Sequence, residues 1–135
     1  MFFNDSNQKN ELAKVAALLI HAAKIDQNFS KNEEFIVKQT MLKIGAKKEN
    51  IDQIIQEGKD MENNSNQILD FTKKVKNMEE NNKIKIIESL WKIIYSNKEE
   101  DIYESNLMRR LAGLLYIDSK IMGDIKEKIK KESLK

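Results

Sequence analysis

The chain has 135 residues, 24 of them basic and 22 acidic, for a net charge of +2. That is the size of one ordinary domain, able to bury roughly 68% of its unfolded surface without staples. The balanced charge argues against a nucleic-acid binder, which carries a clear basic excess on one face. The absence of cysteine excludes a disulfide framework and a thiolate metal site and fits a reducing cytosol.

The stretch MFFNDSNQKNELAK lacks the basic, apolar and small-residue order of a signal peptide, so the expectation is a cytosolic protein. Residues 1–8 read as a short flexible arm ahead of a single domain spanning 1–135. The longest strongly apolar run, VAALLI, is far below the roughly 20 residues a spanning helix needs, so no membrane insertion is expected. Association with a membrane would be peripheral and through a partner. With no proline and four glycines, breakers are scarce and helix is the default.

Period 3.6 then recurs along the chain. Leu12, Val15, Ala16, Leu19, Ile20 and Ala23 form the first stripe, with His21, the single histidine, at its border. Val37, Thr40, Met41 and Ile44 form the second, stopped by Gly45 as a C′ residue. Ile51, Ile54, Ile55 and Gly58 make a shorter third, and after the polar KDMENNSNQ stretch come Ile68, Phe71, Val75 and Met78. Ile87, Leu90, Trp91 and Ile94 give the clearest stripe; Leu107, Leu111, Leu114 and Leu115 the sixth; Ile121, Ile125 and Ile129 the seventh. The Lys-rich end IKEKIKKESLK reads as the solvated last turns of that helix, where cations suit the macrodipole. These stripes predict an all-α protein, a compact bundle of about seven helices.

A shift of 71 places Asp26 on Asn97, Ser30 on Asp101 and Glu33 on Glu104, and Leu19, Ile20, Ile36 and Ile44 on Leu90, Trp91, Leu107 and Leu115. The apolar register and the polar loop coincide together, which predicts two related helix–loop–helix units with pseudo-two-fold symmetry. Within the loops, Ser30–Glu33 and Asp101–Glu104 each have capping-box spacing, worth about 1 kcal/mol per cap. Capping leaves Asp26 and Asn28, and Asn97 and Glu99, without a role.

Oxygen ligands at positions 1, 3 and 5 of a loop are how hard cations are held. The EF-hand template fails, because its Gly and Glu positions are Lys31 and Val37 in one loop and Ile102 and Met108 in the other. Any metal site would be completed from elsewhere, and Asp26, Glu33, Asn97, Asp101 and Glu104 are its candidate ligands. Clustered carboxylates require a cation, an arginine partner or raised pKa values. Oxygen-only ligands favour Ca²⁺, Mg²⁺ or Mn²⁺. Arg109 and Arg110 are the only arginines, and their rigid bidentate geometry predicts that at least one holds loop carboxylates; an exposed helix pair to Glu is the alternative.

A zinc site is not expected around a lone His21 without cysteine, which reads as a partly buried structural residue. Trp91, Phe71 and the methionines fall at helical spacing and read as core. No Ser–His–Asp set or Gly-rich phosphate loop occurs, and no catalytic residue is assigned.

The block from Ile68 to Asp118 resembles the TerB-like (tellurite-resistance protein B) helical proteins, small stand-alone bacterial members above all. Leu90-Trp91, Tyr95, Asp101, Tyr103-Glu104, Leu107, Arg109-Arg110 and Leu114-Leu115-Tyr116 carry it, with Ala23, Asp26, Phe29 and Glu33 in the earlier loop. The resemblance extends over roughly residues 12 to 130. It implies an all-α fold with a duplicated core, an acidic cluster that takes divalent cations, stress-response and membrane-associated complexes with other proteins, and no enzymatic activity. The chain departs from the family pattern at Gln27 and Lys98, where the family has Gly, and at Asn97 and Ser30, where it has Asp. Fewer carboxylates weaken a cation site. The competing expectation is a purely structural interaction domain in which the acidic residues cap helices and pair with arginine.

Overall fold

The computed structural model of the chain describes the backbone of residues 2–24, 30–64, 68–96 and 102–133. Seven α-helices occur among them and no strand: α1 (Phe2–Ala23), α2 (Lys31–Lys43), α3 (Ile51–Asn64), α4 (Leu69–Lys76), α5 (Glu80–Tyr95), α6 (Ile102–Leu114) and α7 (Ser119–Ser133). A 3-10 turn, Lys48–Asn50, leads into α3. Each predicted stripe falls on one of these helices.

The first helix differs from its expectation twice. It includes Phe2 onward, so residues 2–8 of the stretch read as an arm are helical; no proline or glycine precedes Gly45. Its second half is also buried well beyond one stripe, with only Lys14 and His21 partly exposed: Ala13, Ala17, Leu18 and Ala22 are as enclosed as Val15, Ala16, Leu19 and Ile20. A helix segment with so wide an apolar face belongs in the centre of a bundle. α1 accordingly packs against α2, α3, α4 and α5, most extensively against α3. Alanines at 13, 16 and 17 allow the closest approach, where Gly58 of α3 comes to rest on them.

α5 is the second axis of the core. Ile86, Ile87, Leu90, Ile93 and Ile94 are sealed between α1, α2 and α7, and one continuous apolar cluster takes residues from α1 to α7. Thr40 of α2 and Ser89 of α5 hydrogen-bond to each other inside it, and whichever hydroxyl accepts in that pair donates its own proton to the carbonyl four residues earlier, Ile36 O for Thr40 or Lys85 O for Ser89. The buried hydroxyls are thereby satisfied, as low-polarity surroundings require. Outside the core, Lys128 of α7 ties to Glu88 of α5 at 3.0 Å, and that hydrogen bond raises the lysine above its ordinary ammonium range.

α2 and α6 end alike, at positions 71 residues apart. After α2, Gly45 takes φ of 117°, its N–H donates to Leu42 O, and Ala46 N–H donates to Met41 O. After α6, Tyr116 takes φ of 57°, its N–H donates to Gly113 O, and Ile117 N–H donates to Ala112 O. Both are Schellman closures, with the residue past the left-handed position, Ala46 or Ile117, turned into the core. The second closure has a further anchor. Lys83 of α5, largely buried, donates from Nζ to Leu115 O at 3.2 Å, placing a cation at the carbonyl end of α6.

Candidate functional site

The helix starts beside the two polar loops are built from opposite requirements: a helix N-terminus presents free N–H groups, and a buried carboxylate needs donors. At α2 they meet. Ser30, in extended backbone, accepts from Glu33 N–H at 3.1 Å through Oγ, and Glu33 Oε1 accepts from Ser30 N–H at 2.8 Å. This is the capping box expected from SKNE, and it leaves Glu33 only 2% exposed. Glu34 follows on the first turn and receives Lys59 of α3 at 2.8 Å.

Glu104 occupies the matching place in the first turn of α6 and is 5% exposed. It too has an interaction partner. Two buried glutamates thus stand at helix starts 71 positions apart. Asp26, Asn28, Asn97, Glu99 and Asp101, the remaining loop oxygens singled out in the sequence, lie outside the described residues. Among the described residues, no group of three or more His, Asp or Glu side chains is placed to share a metal ion.

Arg109 and Arg110 are both exposed on α6, and neither makes an ion pair with a described residue. Neither arginine therefore clasps Glu33, Glu34 or Glu104, while Asp26, Glu99 and Asp101, the other carboxylates of that expectation, lie outside the described residues. The reason is helical phase. The core takes Leu107, Met108 and Leu111, leaving 109 and 110 on the opposite side.

The cation that does hold a carboxylate at the end of α1 is a lysine. Lys24 Nζ lies 2.7 Å from Glu62 Oε2, and His21 Nδ1 lies 3.5 Å from Glu62 Oε1. Glu62, on α3, is mostly enclosed between them and pins the C-terminal end of α1 next to the first loop. His21 is half-buried, as its border position predicted. Sequence periodicity carried no sign of Glu62, because its role depends on α3 lying along α1.

Trp91, 3% exposed, is core as expected, stacked on Tyr95 with centroids 5.9 Å apart and covered by the Lys126 ammonium at 5.4 Å. Its Nε1 has no hydrogen-bond partner among the described residues. Beside it in the fold, a hollow of about 320 Å³ opens where α2, α5 and α7 meet, with Asn32, Ile36, Tyr95 and Ile129 among its walls. No described helix is long and apolar enough to cross a membrane.

Compared with known proteins, the chain matches the family described as Tellurite resistance protein TerB over residues 12–127. No curated protein and no solved structure is similar enough to match it. The matched span runs from Leu12 in α1 to Glu127 in α7, taking in both helix starts and the whole of the shared core. The chain belongs to the tellurite-resistance TerB family, as the all-helical fold and the block around Trp91 and Glu104 had indicated.

Proposed function

We propose that this TerB-family chain is a non-enzymatic, cytosolic helical module that acts by binding other proteins in a stress-response setting. Its paired acidic loops hold a hard divalent cation, Ca²⁺, Mg²⁺ or Mn²⁺, that stiffens the docking surface. The two loops descend from one helix–loop–helix unit by internal duplication, and the matching ends of α2 and α6 lend support to that origin. The observation that carries the reading is the pair of buried glutamates, Glu33 and Glu104, at equivalent helix starts flanked in sequence by Asp26, Asn97 and Asp101. Oxygen ligands without His or Cys favour hard cations.

A second reading is favoured by the Ser30–Glu33 box: the glutamates serve as caps and no metal binds. Thermal unfolding of wild type and of Glu33→Ala/Glu104→Ala, in EDTA and in millimolar Ca²⁺, Mg²⁺ or Mn²⁺, separates the two. A cation at about 100 times its Kd adds about 2.7 kcal/mol, several degrees in Tm, to the wild type alone. A wild-type curve that no ion moves ends the cation reading. Equal destabilisation of the variant with and without metal assigns the glutamates to capping.

A further inference from the structure

The short helix α4 is the one helix without a counterpart under the 71-residue shift, and it lies against α1 and α6. Between α4, α1 and the end of α3 it leaves an open cavity of about 710 Å³. Cavities of this size suit a compact organic ligand. Among the described lining residues are four lysines, Lys14, Lys73, Lys74 and Lys76, against the single carboxylate of Asp70. The whole chain carries a net charge of only +2, so this excess is local and does not reflect a basic protein.

The ammonium groups differ in what occupies them. Lys74 is neutralised by Glu11 at 2.7 Å, and Lys76 lies 5.0 Å from the centroid of the Tyr116 ring. Among the described residues, Lys14 and Lys73 have no hydrogen-bond or ion-pair partner for their ammonium groups. Lys14 is the informative one. It is half-buried on α1 between the enclosed Ala13 and Val15, which fixes its stem at the wall of the cavity. The wall between the cations is apolar: Phe71 is in the core and Met61 is partly exposed to the cavity. No arginine lines it, so recognition is by several point charges rather than by a planar fork, which suits phosphate over a lone carboxylate.

We propose that the cavity between α1, α3 and α4 binds a phosphorylated small molecule, its phosphates drawn to Lys14 and Lys73 and its organic part laid against Met61 and Phe71. Nucleoside polyphosphates and inositol or sugar phosphates share that chemistry. The test is a titration of the isotope-labelled full chain in EDTA at low salt, followed by amide and methyl chemical shifts, with ATP, pyrophosphate and inositol hexakisphosphate as probes. Expected are saturable shifts at Lys14, Lys73, Lys74 and Asn77, weakened by added salt.

Lys14→Ala/Lys73→Ala should weaken binding by about tenfold or more, two lost charge contacts at roughly tenfold per 1.4 kcal/mol. Lys47→Ala/Lys48→Ala, which alters no lining lysine, should leave it unchanged. ATP binding tighter than pyrophosphate with a Met61 methyl shift points to nucleotides; inositol hexakisphosphate binding tightest points to the other class. The proposal is overturned by non-saturating shifts spread over surface lysines, or by equal weakening in both double variants. It is also overturned if phosphatidylserine vesicles or poly-glutamate take up the protein while the free phosphates move none of these amides. Should the Lys14/Lys73 variant fail to fold, the wild-type shift map and its salt dependence decide alone.

Discussion

Gly58 sits where α3 crosses α1, and a Cβ placed there would come within 2.8 Å of the Ala16 Cβ and 3.2 Å of the Ala13 carbonyl oxygen and Ala17 nitrogen. Two of those three neighbours are backbone, so the helices themselves must separate. Gly58→Ala gains about 1 kcal/mol of helix propensity but overpacks the crossing at a cost of about 1–3 kcal/mol. The expected result is a net loss of stability, seen as a lower Tm by circular dichroism. Gly123 in α7 is the contrast, since a Cβ there meets nothing within 4 Å. Gly123→Ala should therefore raise stability by about 1 kcal/mol. If both substitutions shift the melting curve the same way, the close α1–α3 crossing is not what Gly58 is for. The sequence placed Gly58 in an apolar stripe but gave no sign of the small-residue seam, because a stripe reports which face is buried and not how near the next backbone comes.

At the level of elements, legibility followed whether the signal was local. The end of α2 was readable because Gly45 is the residue that adopts φ of 117° without a steric penalty. The same closure after α6 was not, since nothing about tyrosine announces a left-handed position. Tyr116 is held there by Lys76 over its ring and by the Lys83 ammonium on the preceding carbonyl of Leu115. The Ser30–Glu33 cap was legible for the same local reason. The lysine cavity was not, because it exists only once α4 is laid against α1. Gly45→Ala is expected to cost about 1–2 kcal/mol, the strain of an L-residue at that φ. Tyr116→Gly relieves similar strain, but it loses about 0.5–1 kcal/mol of cation–π contact and gives the unfolded chain more freedom, leaving stability nearly unchanged. Urea unfolding midpoints at constant m separate the two. A large loss for Tyr116→Gly would mean that the ring, and not the backbone turn, secures the end of α6.

For the molecule as a whole, the central question is whether α1–α3 and α5–α7 are two folding units or one. Neither set encloses its own core: α1 lies against α5, α2 lies against α5, and the apolar cluster is continuous through all of them. Leu19 on α1 and Leu90 on α5, both fully enclosed and related by the 71-residue shift, belong to that one cluster. A small domain with one core unfolds in a single cooperative step. Leu19→Ala should therefore remove about 3–5 kcal/mol through lost burial and a residual cavity. The loss should lower the protection of slowly exchanging amides in α7 as much as in α3, although the substitution is on α1. Native-state hydrogen exchange measures this directly. If amides of α7 kept their protection while those of α3 lost theirs, the two triplets would be separate foldons. The two halves related by the 71-residue shift would then be juxtaposed units, with α4 as the link between them. Equal loss in both would mean that the two triplets are halves of one interior, neither sufficient alone, with the α4 cavity fixed by the same cooperative core.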